Sequence, residues 1–188
     1  MENKKEEGQT INNISQVYHS QGDYDTALQY LEQSLSIRQE IGDKKGEGQT
    51  MNNIGQIYNA KNDYINALSY FEQSLIIVRE IKDKQTEGTV LNNIASIYHA
   101  NKKISNALEY LKQALTIHLE IGTKMEQAVI IWNIGRMYED QNNLNKAEEW
   151  MSHAVQLLEA ISHPFLEKGH NALEHVRAKL YGGRIKLS

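Results

Sequence analysis

The chain has 188 residues, a formal net charge of −4 and a single proline, and it contains no cysteine. The absence of cysteine excludes disulfides, thiolate chemistry and zinc sites built on cysteine. No apolar stretch is long enough to cross a membrane, the N-terminus lacks an apolar signal region, and no basic block indicates nucleic-acid binding. We therefore expect a cytoplasmic protein, and the abundance of Leu, Ile, Ala, Glu, Gln and Lys predicts helix throughout.

The sequence repeats with a period of 40 residues. Each copy has an asparagine followed by isoleucine and, four residues after the isoleucine, by tyrosine; these asparagines are Asn13, Asn53, Asn93 and Asn133. A fixed period of this size is typical of stacked supersecondary units and not of one closed core. We expect repeats over about 3–42, 43–82, 83–122 and 123–162.

Each repeat is predicted to contain two helices. In the first copy, apolar residues at 11, 14, 17 and 18 form one stripe of a first helix. Asp23 and Asp63 are expected to cap the second helices, Asp43 and Asp83 the next first helices, and Gly42 and Gly122 to end a helix in the left-handed conformation. The predicted helices are 4–20, 24–41, 44–60, 64–81, 84–100, 104–121, 124–140 and 144–161.

Small residues recur in the middle of the first helices. Ser15, Gly55, Ala95 and Gly135 occupy equivalent positions, which indicates close approach of a neighbouring helix.

The two ends of the array are expected to differ. At the C-terminal end, Pro164 suits the start of a ninth helix that runs to about Tyr181. We expect this helix to cap the last repeat, and one side of the first repeat to be uncovered.

The pattern from Ile11 through Ser15, Tyr18, Gly22, Ala27 and Leu31 to Leu35 resembles the tetratricopeptide repeat. The resemblance covers nearly the whole chain and implies an all-α, right-handed superhelical solenoid of four helix-turn-helix repeats with a C-terminal capping helix, one array over 1–188. The repeat is longer than the usual 34 residues and is similar to the long-helix subfamily of kinesin light chains and Leu-Gly-Asn-rich spindle-orientation adaptors. HEAT repeats share the period but lack this pattern.

One face of each predicted first helix is polar and almost uncharged in the first three copies. The resemblance implies that this face lines a concave groove. An asparagine amide both donates and accepts hydrogen bonds, so a row of amides suits the backbone of an extended peptide. The candidate peptide-binding residues are Asn12, Asn13, Gln16, Asn52, Asn53, Gln56, Asn92, Asn93, Trp132, Asn133 and Arg136. The alternative is structural, with one asparagine of each pair joining adjacent helices through the backbone.

The fourth copy departs from this polar pattern. Trp132 is either an anchor for a ligand or a residue that packs beneath the capping helix or against Trp150. Arg136 either binds a carboxylate of a partner or pairs with Asp140, four residues further along the helix. The basic carboxylate clamp of chaperone-binding tetratricopeptide domains is missing, so acidic C-terminal tails are not the expected ligands.

No pattern in the sequence predicts an enzyme, a metal site or a cofactor. The histidines lack helical ligand spacing, and Glu40, Glu80 and Glu120 follow the repeat and are expected to be solvated. The sequence favours a protein-interaction module that binds a linear peptide segment of a partner. Two alternatives remain: a structural unit that forms a homo-oligomer through the first repeat, and the sensing half of a peptide-responsive regulator.

Overall fold

The computed structural model describes residues 2–182, and those residues form nine α-helices and no strand. Every predicted helix is confirmed, with ends that differ by at most about two residues. The helices are α1 (Glu2–Ser20), α2 (Tyr24–Glu40), α3 (Lys44–Ala60), α4 (Tyr64–Glu80), α5 (Lys84–Ala100), α6 (Ile104–Ile121), α7 (Lys124–Asp140), α8 (Leu144–Ala160) and α9 (Leu166–Tyr181).

The chain divides into two compact units, Met1–Ile97 and Tyr98–Ser188. Unit 1 contains the first two repeats and most of α5, and unit 2 contains the end of α5 with α6 to α9. The fold class is all-α, built from helix-turn-helix repeats, as predicted. The single array over 1–188 and the right-handed superhelix stay predictions.

The turns between helices use the predicted capping chemistry. The carboxylate of Asp23 accepts a hydrogen bond from the backbone N–H of Thr26 at 3.2 Å, and Asp43 accepts one from Gly46 at 3.0 Å. Asp63 and Asp83 cap the following helices in the same way. Gly42 and Gly122 have φ of +69° and +77°, in the left-handed region that favours glycine. Each helix pair therefore reverses direction at a position marked in the sequence.

In the second and fourth repeats, the two helices approach closely where the first helix carries a glycine. A Cβ atom at Gly55 would lie 2.6 Å from Cε1 of Phe71 on α4, and one at Gly135 would lie 2.7 Å from Cγ of Met151 on α8. The equivalent residues of the first copy, Ser15 and Leu31, are both buried. In the second and fourth repeats, a glycine on the first helix leaves room for a large side chain of the second helix.

The end of the second helix buries a different side chain in each repeat, and sequence analysis missed this position. Arg38 is 3% exposed and donates from Nη1 to Oδ2 of Asp43 at 2.7 Å. Its equivalents are Val78, His118 and Leu158, which are also buried. Burial lowers the pKa of His118, although the nearby Glu126 carboxylate opposes the shift. An apolar residue is thus not required at this position of each repeat, because a charged side chain that has its own partner fills the same space in the first copy.

The apolar stripe of α1 is partly exposed. Ile14 is 37% exposed and Val17 is 54% exposed, whereas their equivalents Ile54 and Ile57 are 1% and 2% exposed. Ile54 and Ile57 lie in a cluster with Ala27 and Leu31 of α2, so the second helix of the preceding repeat buries them. Within the part of the chain that the structure describes, no such helix covers α1.

The ninth helix packs on the last repeat, as predicted. Leu173 and Val176 of α9 join a core cluster with residues of α8, namely Ala147, Met151 and Val155. Glu148 replaces the leucine of the other copies because it faces α9, where it accepts hydrogen bonds from Arg177 Nε at 2.9 Å and from the Tyr181 hydroxyl at 2.8 Å. The departure of the fourth copy from the repeat pattern therefore adapts it to the capping helix.

The contact between Gly55 and Phe71 yields a test of the helix packing. Gly55→Ala is expected to lower the free energy of unfolding by about 1–2 kcal/mol, because overpacking costs more than the gain in helix propensity. Combining it with Phe71→Leu, which gives the alanine and leucine that the third copy has at these two sequence positions, is expected to recover part of this loss. Denaturant unfolding of the two single variants and the double variant measures the coupling; strictly additive changes would contradict the direct contact.

Candidate functional site

The predicted asparagines of unit 1 lie along one face of its first helices, but they differ in burial. Asn12 and Asn52 are each 5% exposed, Asn53 and Asn93 are half-buried, and Asn13 is exposed. In the first two Asn-Asn pairs, the first asparagine is therefore buried and the second lies nearer the surface, whereas Asn92 and Asn93 are both half-buried.

The buried and half-buried asparagines are hydrogen-bonded to each other across successive repeats. Nδ2 of Asn53 donates to Oδ1 of Asn12 at 3.0 Å, and Nδ2 of Asn93 donates to Oδ1 of Asn52 at 2.9 Å. The interhelical role considered from the sequence is therefore present, but it joins two side chains and not a side chain to the backbone. Asn13 differs, because its Oδ1 accepts from Nε2 of Gln9 within the same helix at 2.9 Å.

These bonds leave hydrogen-bonding capacity on the amides. Each amide has two N–H donors and an oxygen with two lone pairs, and a bridge such as that between Asn53 and Asn12 occupies one donor and one lone pair. Because the bridges hold the amide planes in place, the remaining groups have defined directions. A ligand would therefore bind to amides that are already oriented.

A polar trough runs along this surface of unit 1 and has a volume of about 310 Å³. Amides supply most of its lining, and the only charged groups that line it are Lys45 and Asp83, whose Nζ and Oδ2 atoms lie 3.6 Å apart. Since these charges neutralise each other, the trough has little net charge. It is lined by Gln9, Asn12, Gln16, Lys45, Gln49, Asn52, Asn53, Asp83, Gln85, Thr86 and Thr89.

A second depression of unit 1, of about 320 Å³, includes Gln16, Asn53 and Gln56 together with His19. Gln16 and Asn53 line both depressions, so the structure brings the candidate residues Asn12, Gln16, Asn52, Asn53 and Gln56 to one continuous surface. The candidates Asn92 and Asn93 are half-buried on α5, in the last part of the same unit.

In unit 2, the candidates Trp132, Asn133 and Arg136 lie on α7 and have different surroundings. Trp132 is half-buried, packs against the cluster that joins α8 and α9, and also lines a surface pocket. Packing beneath the capping helix, one alternative from the sequence, is therefore observed. Of the two alternatives for Arg136, pairing with Asp140 is not observed, because Oδ2 of Asp140 lies 2.5 Å from Nε2 of His99 and Arg136 is exposed.

The pocket beside Trp132 is apolar and has a volume of about 150 Å³; its lining residues are Met125, Ala128, Val129, Trp132, Leu158, Phe165, Lys168 and Gly169. Sequence analysis missed all of these except Trp132. A signal existed, since Met125 and Val129 are apolar at positions where the third copy has Gln85 and Thr89. The contribution of α9 could not be found from the repeat pattern, because α9 lies outside it.

Two further features of the described residues bear on function. Among residues 2–182, no group of three or more histidine, aspartate or glutamate side chains is placed to hold a metal ion. None of the helices in that range combines the length and apolar character required for a membrane span.

The fold and the sequence place the chain in a family. Residues 6–80 and 86–160 match the family model of the tetratricopeptide repeat, which is more than half of the chain. The chain therefore belongs to the tetratricopeptide repeat family. No curated protein matches the chain. The repeats make it a protein–protein interaction module, of a fold that is typically a non-catalytic binding scaffold.

Solved structures share this fold at low sequence identity. Aspartyl phosphate phosphatase F from Bacillus subtilis is 16% identical with a TM-score of 0.84, over 93% of this chain and 45% of that one. A Rap protein in complex with competence and sporulation factor is 15% identical with a TM-score of 0.80, over 94% of this chain and 49% of that one. Kinesin light chain-like repeats from Podosopora anserina are 18% identical with a TM-score of 0.73, over 100% of this chain and 90% of that one.

The chain thus spans about half the length of the phosphatase and of the Rap protein. The similarity to the kinesin light chain-like repeats agrees with the resemblance inferred from the 40-residue period.

The bridge between Asn53 and Asn12 yields a test of its structural role. Asn53→Ala is expected to lower the free energy of unfolding by about 1 kcal/mol, because it leaves the buried oxygen of Asn12 without its donor. Asn106→Ala is the matched control, since Asn106 is exposed on a helix and the change there is expected to cost nothing. Thermal unfolding of both variants measures the difference, and equal stabilities would show that the bridge contributes nothing.

Proposed function

We propose that the chain binds an extended segment of a partner protein on the amide face of unit 1, defined as the surface formed by Gln9, Asn12, Gln16, Gln49, Asn52, Asn53 and Gln56. The observation that supports this proposal is the polar trough of about 310 Å³ whose lining consists mostly of uncharged amides. A helix surface that serves only to contact water would carry lysine and glutamate in these places.

The chemistry of an extended backbone matches that of the amide face. Each residue of an extended peptide presents one N–H and one C=O, and an amide side chain can satisfy both. The side chains of the peptide can then be recognised by other residues of the binding surface. The bridges Asn53–Asn12 and Asn93–Asn52 orient the amides in advance, which reduces the ordering cost of binding. In this proposal, Asn13, Asn92 and Asn93 extend the binding surface of unit 1, and Trp132, Asn133 and Arg136 form a binding surface on unit 2.

The family supports an interaction role, and one protein of similar fold was solved with a bound factor. That Rap protein holds competence and sporulation factor, and its matched region covers 94% of this chain. This similarity also favours the sensing-half alternative, in which the chain is the ligand-binding half of a longer regulator. Both versions place the partner on the same repeat surface, and both are consistent with a cytoplasmic protein.

The test of the amide face uses glutamines that take no part in the bridges between asparagines. Peptides that bind the chain are selected from a random peptide display library, and their affinities for variants are measured by calorimetry. Gln16→Ala combined with Gln49→Ala is expected to weaken binding by about tenfold or more, since each lost hydrogen bond costs about 1 kcal/mol. The melting temperature is expected to stay unchanged.

The matched control removes two glutamines from the exposed faces of second helices. Gln33→Ala combined with Gln113→Ala makes the same chemical change outside the trough, at positions exposed on α2 and α6. This variant is expected to bind as the original chain does. If the Gln16 and Gln49 variant retains full affinity for every selected peptide, the proposed binding surface is wrong.

A second candidate function is self-association through the first repeat. It is favoured by the exposure of Ile14 and Val17, whose equivalent residues in the later copies are buried. Burying these side chains against another copy would provide a hydrophobic gain. Light scattering over a range of concentrations is expected to show a dimer or larger assembly that Val17→Glu abolishes. Ser20→Glu, on the same helix at an exposed polar site, is the control. A monomer at every concentration would contradict self-association.

A further inference from the structure

We propose that the pocket beside Trp132 binds an aliphatic side chain of the partner segment, and that Arg136 and Lys168 bind acidic residues next to that side chain in the partner sequence. This inference rests on the proposed function, because it assigns a partner chemistry to the candidate binding residues of unit 2. The anchor pocket is defined as the cavity lined by Met125, Val129, Trp132, Phe165 and Lys168, with Ala128, Leu158 and Gly169 at its base.

Comparison of the four repeats shows that the anchor pocket replaces polar residues. Along the first helix, positions five, nine, twelve and sixteen of each 40-residue copy form one stripe, because they are separated by about one turn. This stripe is polar in three copies, with Lys5, Gln9, Asn12 and Gln16; Lys45, Gln49, Asn52 and Gln56; and Gln85, Thr89, Asn92 and Ser96. In the fourth copy it becomes Met125, Val129, Trp132 and Arg136.

The apolar side chains of this stripe are not fully used by the core. Val129 is 39% exposed and Phe165, which faces the pocket from the segment before α9, is 57% exposed. Core packing alone therefore does not account for them. With a volume of about 150 Å³ and a lining that is almost entirely apolar, the anchor pocket has room for a side chain such as leucine or isoleucine. Burying such a side chain contributes roughly 1.5–3 kcal/mol.

Two cations border the anchor pocket without an acidic partner in the described residues. Lys168 lines the pocket itself, and Arg136 follows Trp132 by one helical turn, which is about 6 Å along α7. Both side chains are exposed, and neither forms an ion pair within residues 2–182.

The acidic groups near Arg136 have other partners. Glu139 binds Lys179 at 2.8 Å, and Asp140 binds His99 at 2.5 Å. By contrast, the basic groups at the other end of α9 are paired, since Arg177 binds both Glu148 and Glu174. Lys168 on the lining of the apolar pocket and Arg136 one helical turn beyond Trp132 therefore place positive charge at and near the pocket. Complementarity of charge favours a partner in which carboxylates flank the aliphatic anchor.

The experiment uses the full chain with Trp150→Phe, so that Trp132 is the only tryptophan and its fluorescence reports on the anchor pocket. The probe is the blocked peptide Asp-Asp-Leu-Asp-Asp. Two comparison peptides replace the leucine by alanine or all four aspartates by asparagine. The aspartate–leucine peptide is expected to change the fluorescence of Trp132 and to bind at least tenfold more tightly than either comparison peptide at low ionic strength.

Variants then assign the preference to specific residues. Arg136→Gln with Lys168→Gln is expected to remove the advantage of aspartate over asparagine peptides. The control variant, Lys103→Gln with Lys112→Gln, removes two exposed charges elsewhere in unit 2. It is expected to retain most of the advantage. Val129→Asp is expected to abolish binding while the chain keeps its melting temperature, because position 129 is partly exposed.

The inference is overturned if none of the peptides binds, if aspartate and asparagine peptides bind equally, or if the alanine peptide binds as well as the leucine peptide. Its failure is distinguishable from failure of the proposed function, because the amide face is tested with Gln16 and Gln49 in unit 1. The Gln16→Ala and Gln49→Ala variant is expected to bind the short peptide normally while it loses the longer, library-selected peptides. If the short peptides show no preference for aspartate and leucine but the library-selected peptides still depend on Gln16 and Gln49, the further inference fails and the proposed amide face stands.

Discussion

The structure of the second and fourth repeats depends on the close contact between their two helices. Where α3 carries Gly55, α4 carries Phe71, and where α7 carries Gly135, α8 carries Met151. Helices approach this closely only when one partner is small, and the size of the other partner then sets their separation. Within unit 1, successive first helices lie at matching separations, and the interaction surface depends on that regularity.

The amide bridges of unit 1 are a direct consequence of the regular stacking. Asn53 can donate to Asn12 at 3.0 Å, and Asn93 to Asn52 at 2.9 Å, because successive first helices present the same positions at the same separation. In our proposal the same amides also face a ligand. A side chain that is bound on one edge and open on the other joins the helices and offers oriented groups for binding.

The fourth copy shows how a repeat changes when its neighbour is a capping helix. Glu148 takes the place of a leucine because Arg177 and Tyr181 of α9 bind it. These hydrogen bonds from Tyr181 and Arg177 lower the pKa of the Glu148 carboxyl below its usual value, so the attachment of α9 is polar as well as apolar. The same neighbour closes one side of the pocket at Trp132, and this gives unit 2 an apolar site where unit 1 has amides.

Much of this protein was predictable from its sequence, because the relevant signals are local and repeat. The 40-residue period, the aspartate caps and the apolar spacing predicted the eight helices of the repeats, Pro164 indicated the ninth, and the small residue at 55 predicted close packing. Those features depend on backbone geometry and on neighbours within a few turns. The uncharged amide row was also visible, since a helix face is determined by spacing alone.

The tertiary structure decided which side chains meet across elements. Sequence spacing allowed a pair between Arg136 and Asp140, whereas packing brings His99 to Asp140 and leaves the guanidinium exposed. Spacing gave no indication that Arg38 would be buried with Asp43, or that Phe165 and Lys168 would complete a pocket with Val129. Such contacts join residues from helices whose relative placement depends on the sum of many packing interactions. The sequence by itself determined the repeat, its helices and the polar row, and only the folded chain determined how the amides pair and where the apolar pocket forms.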